Sequence, residues 1–133
     1  MTKILVVDDH DLVRMGIVRM LADVTGYEVV GDAKSGEEAV TKTRALKPDV
    51  ILMDVKMPGM GGLEATKKLV AANPGLKVIA VTACDDDLYP PRLMQAGAVG
   101  YVTKGADFSE ITNAINKVIR GDLYMSNNIA QQL

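Results

Sequence analysis

Four short apolar runs in this 133-residue chain each end on a side chain able to handle a phosphoryl group or a cation. Asp8 and Asp9 follow ILVV, Asp54 follows VILM, Thr82 follows VIAV, and Lys104 follows AVGYVT. If these runs are parallel strands of one open α/β sheet, their carboxyl ends meet at one edge, which is where such sheets bind ligands. Three carboxylates crowded there repel and raise one another's pKa unless a cation intervenes. Mg²⁺ resolves that conflict, because it takes oxygen ligands, keeps several waters and commonly uses one or two carboxylates plus a phosphate. Asp9 and Asp54 are therefore expected as direct ligands, with Asp8 acting through water. A carboxylate is also a nucleophile, and Lys56-Met57-Pro58-Gly59 turns the chain away so that Asp54 is left in the crevice to form an aspartyl phosphate. Lys104 and the Thr82 hydroxyl would share the charge of the equatorial oxygens with Mg²⁺ and nearby backbone amides. Taken singly, each residue has a plainer reading as a solvated acid, a strand threonine or a surface lysine. Their joint placement at the ends of the first, third, fourth and fifth strands argues for one site.

The elements that must position them follow from periodicity. The runs Ile4 to Val7, Glu28 to Val30, Val50 to Met53, Val78 to Val81 and Val99 to Val102 are short and almost continuously apolar, as strands buried on both faces are. Between them lie helical patterns: Val13, Ile17, Met20, Leu21, Val24; then Ala39, Val40, Thr43, Leu46; then Leu63, Thr66, Leu69, Val70; and last Phe108, Ile111, Ile115, Val118, Ile119. Ser35-Gly36-Glu37-Glu38 and Asp107-Phe108-Ser109-Glu110 fit helix N-caps, while Gly26, Pro48, Asn73-Pro74-Gly75, Gly97 and Gly121 supply stops. Pro90-Pro91 predicts a short fourth helix that starts near Pro90, after a long mobile loop containing Asp85 to Asp87. Five strands alternating with five helices give an α/β fold, a doubly wound five-stranded parallel sheet of flavodoxin-like order 2-1-3-4-5. The domain spans residues 1–121. Residues 122–133 read as the start of a linker helix capped by Ser126, or as a frayed end.

Composition bounds the function. A net charge of −2 offers no basic surface for a nucleic acid backbone or an anionic membrane, and no apolar run approaches the length of a membrane span. A cytoplasmic location is expected. The single cysteine, Cys84, excludes an intramolecular disulfide. It reads as a buried, inert thiol, the alternative being a gate formed with Lys56 over water access to the site. His10 reads as a solvated histidine at a helix entrance with no chemical role, and Met57 and Met60 as packing residues.

The motifs VVDDH (6–10), LMDVKMPGMGG (52–62), VTA (81–83) and GYVTKG (100–105) resemble the receiver domain of two-component response regulators, and the strings VVDDHDLVRMGI, LKPDVILMDVKMPGMGGLEAT and the terminal IAQQL resemble its NarL/FixJ class. The receiver resemblance covers Thr2 to Gly121. It implies a CheY-like fold, Asp54 as the phosphoacceptor, and Mg²⁺ held by Asp9, Asp54 and the Lys56 carbonyl, with Asp8 helping through water. It implies phosphoryl contacts from Thr82 and Lys104, and Tyr101 as a switch aromatic that turns inward with Thr82. The expected donor is a sensor histidine kinase or its phosphotransfer domain, homodimerisation on phosphorylation is possible, and DNA would be bound only through a C-terminal helix-turn-helix domain outside this chain. One departure is Gly105, where many receivers have proline.

Other functions fit less well. An aspartate-nucleophile phosphatase wants a second carboxylate two residues after the nucleophile, where this chain has Lys56. A dinucleotide-binding domain wants G-x-G-x-x-G after the first strand, where acids stand instead. A receiver-like interaction module that is never phosphorylated is the remaining alternative.

Overall fold

The computed structural model describes residues 1–82, 89–105 and 107–125. Readings placed on Cys84, Asp85 to Asp87 and the Ser126-capped helix lie outside these residues. Strands β1 (Thr2–Val7), β2 (Tyr27–Ala33), β3 (Val50–Asp54), β4 (Lys77–Thr82), β5 (Gly100–Thr103) and β6 (Tyr124–Met125) alternate with helices α1 (Asp11–Ala22), α2 (Gly36–Leu46), α3 (Gly62–Ala72), α4 (Tyr89–Ala96) and α5 (Phe108–Ile119). The sheet order is β2-β1-β3-β4-β5-β6, with every neighbouring pair parallel.

The predicted order 2-1-3-4-5 is thus observed, extended by a sixth strand that the sequence reading lacked. Two residues are too few to show a period. β6 exists because the Tyr124 amide bonds to the Val99 carbonyl at 3.0 Å and extends the edge beside β5. β2 is also longer than Glu28 to Val30. Its pairing with β1 passes an irregularity between Ile4 and Leu5 and continues through Gly31 and Asp32, residues with low strand propensity that tertiary pairing recruits.

The strands bury both faces. Ile4, Val6, Val50, Leu52, Ile79, Val81 and Val102 pack against α1 and α5, while Leu5, Val7, Ile51, Met53 and Val78 pack against α2 and α3. Val55, Ala80 and Tyr101 form a third cluster with Leu93 of α4. Met57 is buried and Met60 half-buried against the second of these clusters, as packing residues should be.

Two helical faces differ from their sequence pattern. α1 buries Arg14, Ile17 and Leu21, leaving Val13 and Met20 largely exposed, and α5 buries Ala114 in place of Ile119. An arginine and an alanine occupy stripe positions where an apolar count looks for larger hydrophobes. α4 is short, eight residues against eleven or twelve for the others, with its prolines in the first turn as expected. The Ser35 hydroxyl accepts from the Glu38 amide at 3.1 Å, so α2 is capped as read. Asp107 is the N-cap of α5 but makes no side-chain cap bond.

Candidate functional site

The register of the parallel strands builds the site. Val7 pairs with Met53 and Thr82 with Thr103, so Asp8, Asp54, Thr82 and Lys104 stand at or one residue beyond neighbouring strand ends. Asp8 and Asp54 are nearly inaccessible to solvent, at 2% and 4%, and Thr82 is buried beside them in sequence order across the sheet. Ligand atoms of Asp8, Asp9, His10 and Asp54 all lie within 4.8 Å of one another. Lys104 Nζ stands 3.0 Å from Asp8 Oδ2 and 3.3 Å from Asp54 Oδ2. The Lys104 amide also donates to the Thr82 carbonyl at 2.8 Å, which ties the β5 end to the β4 end.

Asp8 itself is held at every polar atom. Its amide donates to Ala33 O at 3.0 Å, and its Oδ1 accepts from the His10 amide at 2.8 Å. Its carbonyl accepts from Arg14 Nη1 at 2.9 Å, and its Oδ2 faces Lys104. Asp54 is held less completely. Burial first, and the Asp8 charge second, push its carboxyl up to about 7, against the pull of Lys104. The Asp8 and Asp54 carboxylates in turn hold the Lys104 ammonium above its usual range, in spite of its burial.

The donor set suits a hard cation. Among the described residues, no hydrogen bond reaches the buried Asp9 Oδ1 and Asp54 Oδ2, although His10 and Lys104 nitrogens lie within ion-pair distance. Two buried carboxylate oxygens with no hydrogen bond among the described residues, beside a third acid, are what an oxygen-seeking divalent ion would complete.

The other expected residues are placed as follows. Lys56 lies two residues past the end of β3 on an exposed connection. Tyr101 is fully buried and pairs with Ala80, two positions before Thr82, so Tyr101 and Thr82 share the α4 face of the sheet. Gly105 has open space around its Cα and meets no neighbour that a side chain would strike. His10 is largely exposed at the α1 N-cap, as read from the sequence, with its Nδ1 3.2 Å from both Asp8 Oδ1 and Asp9 Oδ1. Arg14 was missed. It sits three residues before Ile17 and seven before Leu21, and so on the buried stripe.

Residues 4–116 match the response regulator receiver domain family. This chain belongs to that family. Over all 133 residues it is 62% identical to response regulator GacA of Pseudomonas syringae pv. syringae (strain B728a), of which it covers 62%. It is 47% identical over the same length to response regulator UvrY of Escherichia coli (strain K12), of which it covers 61%. The receiver thus spans about three-fifths of the length of these curated relatives. They are regulators of the NarL/FixJ class, the class its motifs resemble. A crystal structure of a LuxR-family two-component response regulator from Aurantimonas sp. SI85-9A1 superposes with a TM-score of 0.94 at 36% identity, covering 99% of this chain and 95% of that one.

Proposed function

We propose that this receiver is a phosphorylation-controlled switch whose acceptor is Asp54. The observation that carries the reading is the cluster itself: a buried Asp54 carboxylate facing Lys104 at 3.3 Å, with the Asp8 and Asp9 carboxylates beside it. One Asp54 oxygen attacks the phosphorus of a phosphohistidine, a P–O bond forms as the P–N bond breaks, and the imidazole leaves with the electron pair and takes up a proton. Asp9, Asp54 and the Lys56 carbonyl would hold Mg²⁺, with Asp8 acting through water. When bound, the ion supplies positive charge that keeps Asp54 ionised and offsets charge on the phosphoryl oxygens.

Lys104 supplies a second positive charge, already positioned by its pairing with Asp8. Thr82 then donates its hydroxyl to a phosphoryl oxygen, and Tyr101 on the same face follows it, shifting a two-state equilibrium toward the active form. Hydrolysis of the aspartyl phosphate at the same site would reset the switch. The donor would be a sensor histidine kinase or its phosphotransfer domain. Output would be transcriptional, through a DNA-binding domain in the part of the relatives' length that lies beyond this chain, in the cytoplasm, with dimerisation on phosphorylation.

Incubation with acetyl phosphate, with and without Mg²⁺, followed by intact-mass spectrometry on the native chain and on Asp54→Asn tests the reading. The expected result is a Mg²⁺-dependent gain of one phosphoryl group that vanishes in the variant. No gain, with a phosphodonor kinase added as well, would move the function to an unphosphorylated interaction module.

A further inference from the structure

An arginine buried to 4% exposure is costly unless every charge and donor is used, and Arg14 uses its fork on three different residues. Nε donates to Asp32 Oδ2 at 2.7 Å, Nη2 to Asp11 Oδ1 at 2.8 Å and Nη1 to the Asp8 carbonyl at 2.9 Å. Asp32 belongs to β2, Asp11 opens α1, and Asp8 leaves β1. One planar group therefore joins two strand ends to the first turn of a helix.

The carbonyl of Asp8 and the amide of Asp9 are one rigid peptide unit. The Asp8 amide is already fixed on Ala33, so the Arg14 contact to the carbonyl sets the remaining rotation that decides where the Asp9 side chain starts. We infer that Arg14 is a positioning residue for the acidic site: it orients the Asp8–Asp9 peptide so that the Asp9 carboxylate is presented to the cation shared with Asp54. A lysine at this position would keep the charge and much of the aliphatic stem but could not hold three partners in a plane. Residues that orient metal-holding groups from behind typically alter metal affinity or activity by about 10–100-fold when removed.

The inference rests on the cation site proposed above, and the test separates the two. Mg²⁺ affinity is measured by isothermal titration calorimetry on the native chain, Arg14→Lys and Asp32→Ala, with thermal unfolding followed in parallel. The native chain reports on the cation site alone, and no binding there would remove that reading and this one together. With native binding present, Arg14→Lys is expected to weaken Mg²⁺ binding by about tenfold or more, and saturating Mg²⁺ should restore its rate of phosphoryl acceptance from acetyl phosphate. Asp32→Ala leaves the Asp8 contact in place but frees the guanidinium, and should weaken binding in the same direction by less. In the metal-free protein, the Asp9 amide resonance should shift in both variants. A purely structural arginine would lower the unfolding temperature and leave affinity unmoved. That pattern overturns the inference. If Arg14→Lys does not fold, unchanged affinity in Asp32→Ala overturns it by itself.

Discussion

Asp54 shows how one side chain can bear the cost of a site. Its carboxyl, raised from 3.8 to about 7 by burial and by Asp8, binds a proton more tightly in the folded chain than in the unfolded one. Between those values the folded state holds the proton that the unfolded state has released, so stability falls as pH rises through this window. Without divalent cation, Asp54→Asn should therefore be more stable than the native chain at pH 7.5 by on the order of 1–3 kcal/mol, the gap closing toward pH 4. Urea unfolding at several pH values checks this. Mg²⁺ at ten times its dissociation constant should return about 1.4 kcal/mol to the native chain and much less to the variant. A variant that loses stability with pH in parallel with the native chain would sink the argument. The strand-end placement of Asp8, Asp9, Asp54, Thr82 and Lys104 was legible beforehand, because a polar residue that closes a buried apolar run sits at or just beyond a strand end. Arg14 was not, because its partners Asp32 and the Asp8 carbonyl are brought to it only by the fold of the β1–α1 connection.

Among the elements, the β3–α3 connection leaves the least room. A Cβ on Gly62 would lie 2.1 Å from the Asp54 carbonyl oxygen and 2.8 Å from Val55 Cα, so α3 can start where it does only without a side chain there. Gly62→Ala should destabilise the chain by about 1–3 kcal/mol, as overpacking does, and should also slow phosphoryl acceptance, since the strain falls on the Asp54 backbone. Gly75→Ala, where a Cβ meets nothing within 4 Å, is the control and should be close to neutral in both measurements. Equal effects of the two changes would refute the steric account. Helix limits were readable from Ser35, Gly97 and Gly121, whereas the rotation of α1 was not. An apolar count favoured Val13 and Met20, but the helix turns Arg14 inward because its fork satisfies Asp8 and Asp32.

Across the domain, the site and its foundations lie at opposite ends of the sheet. Tyr27, at the start of β2, donates its hydroxyl to Asn116 Oδ1 at 2.7 Å, with the Thr112 carbonyl 3.3 Å from the same oxygen, tying an edge strand to α5. Tyr27→Phe should cost about 1 kcal/mol in denaturant unfolding while leaving Mg²⁺ affinity and phosphoryl acceptance unchanged. A change in either functional readout would show that the sheet transmits strain from one end to the other.

The alternation of buried strands and amphipathic helices and the acids at the strand ends follow from short-range patterning, since period and punctuation are local properties of a chain, whereas the order 2-1-3-4-5 came from the topology that such an alternation usually takes. Tertiary structure decided the rest: the sixth strand, the rotation of α1, and the arginine behind the acid pair. Each depends on a partner far along the chain, Val99 for Tyr124 and Asp32 for Arg14, and such partners meet only once the sheet has formed.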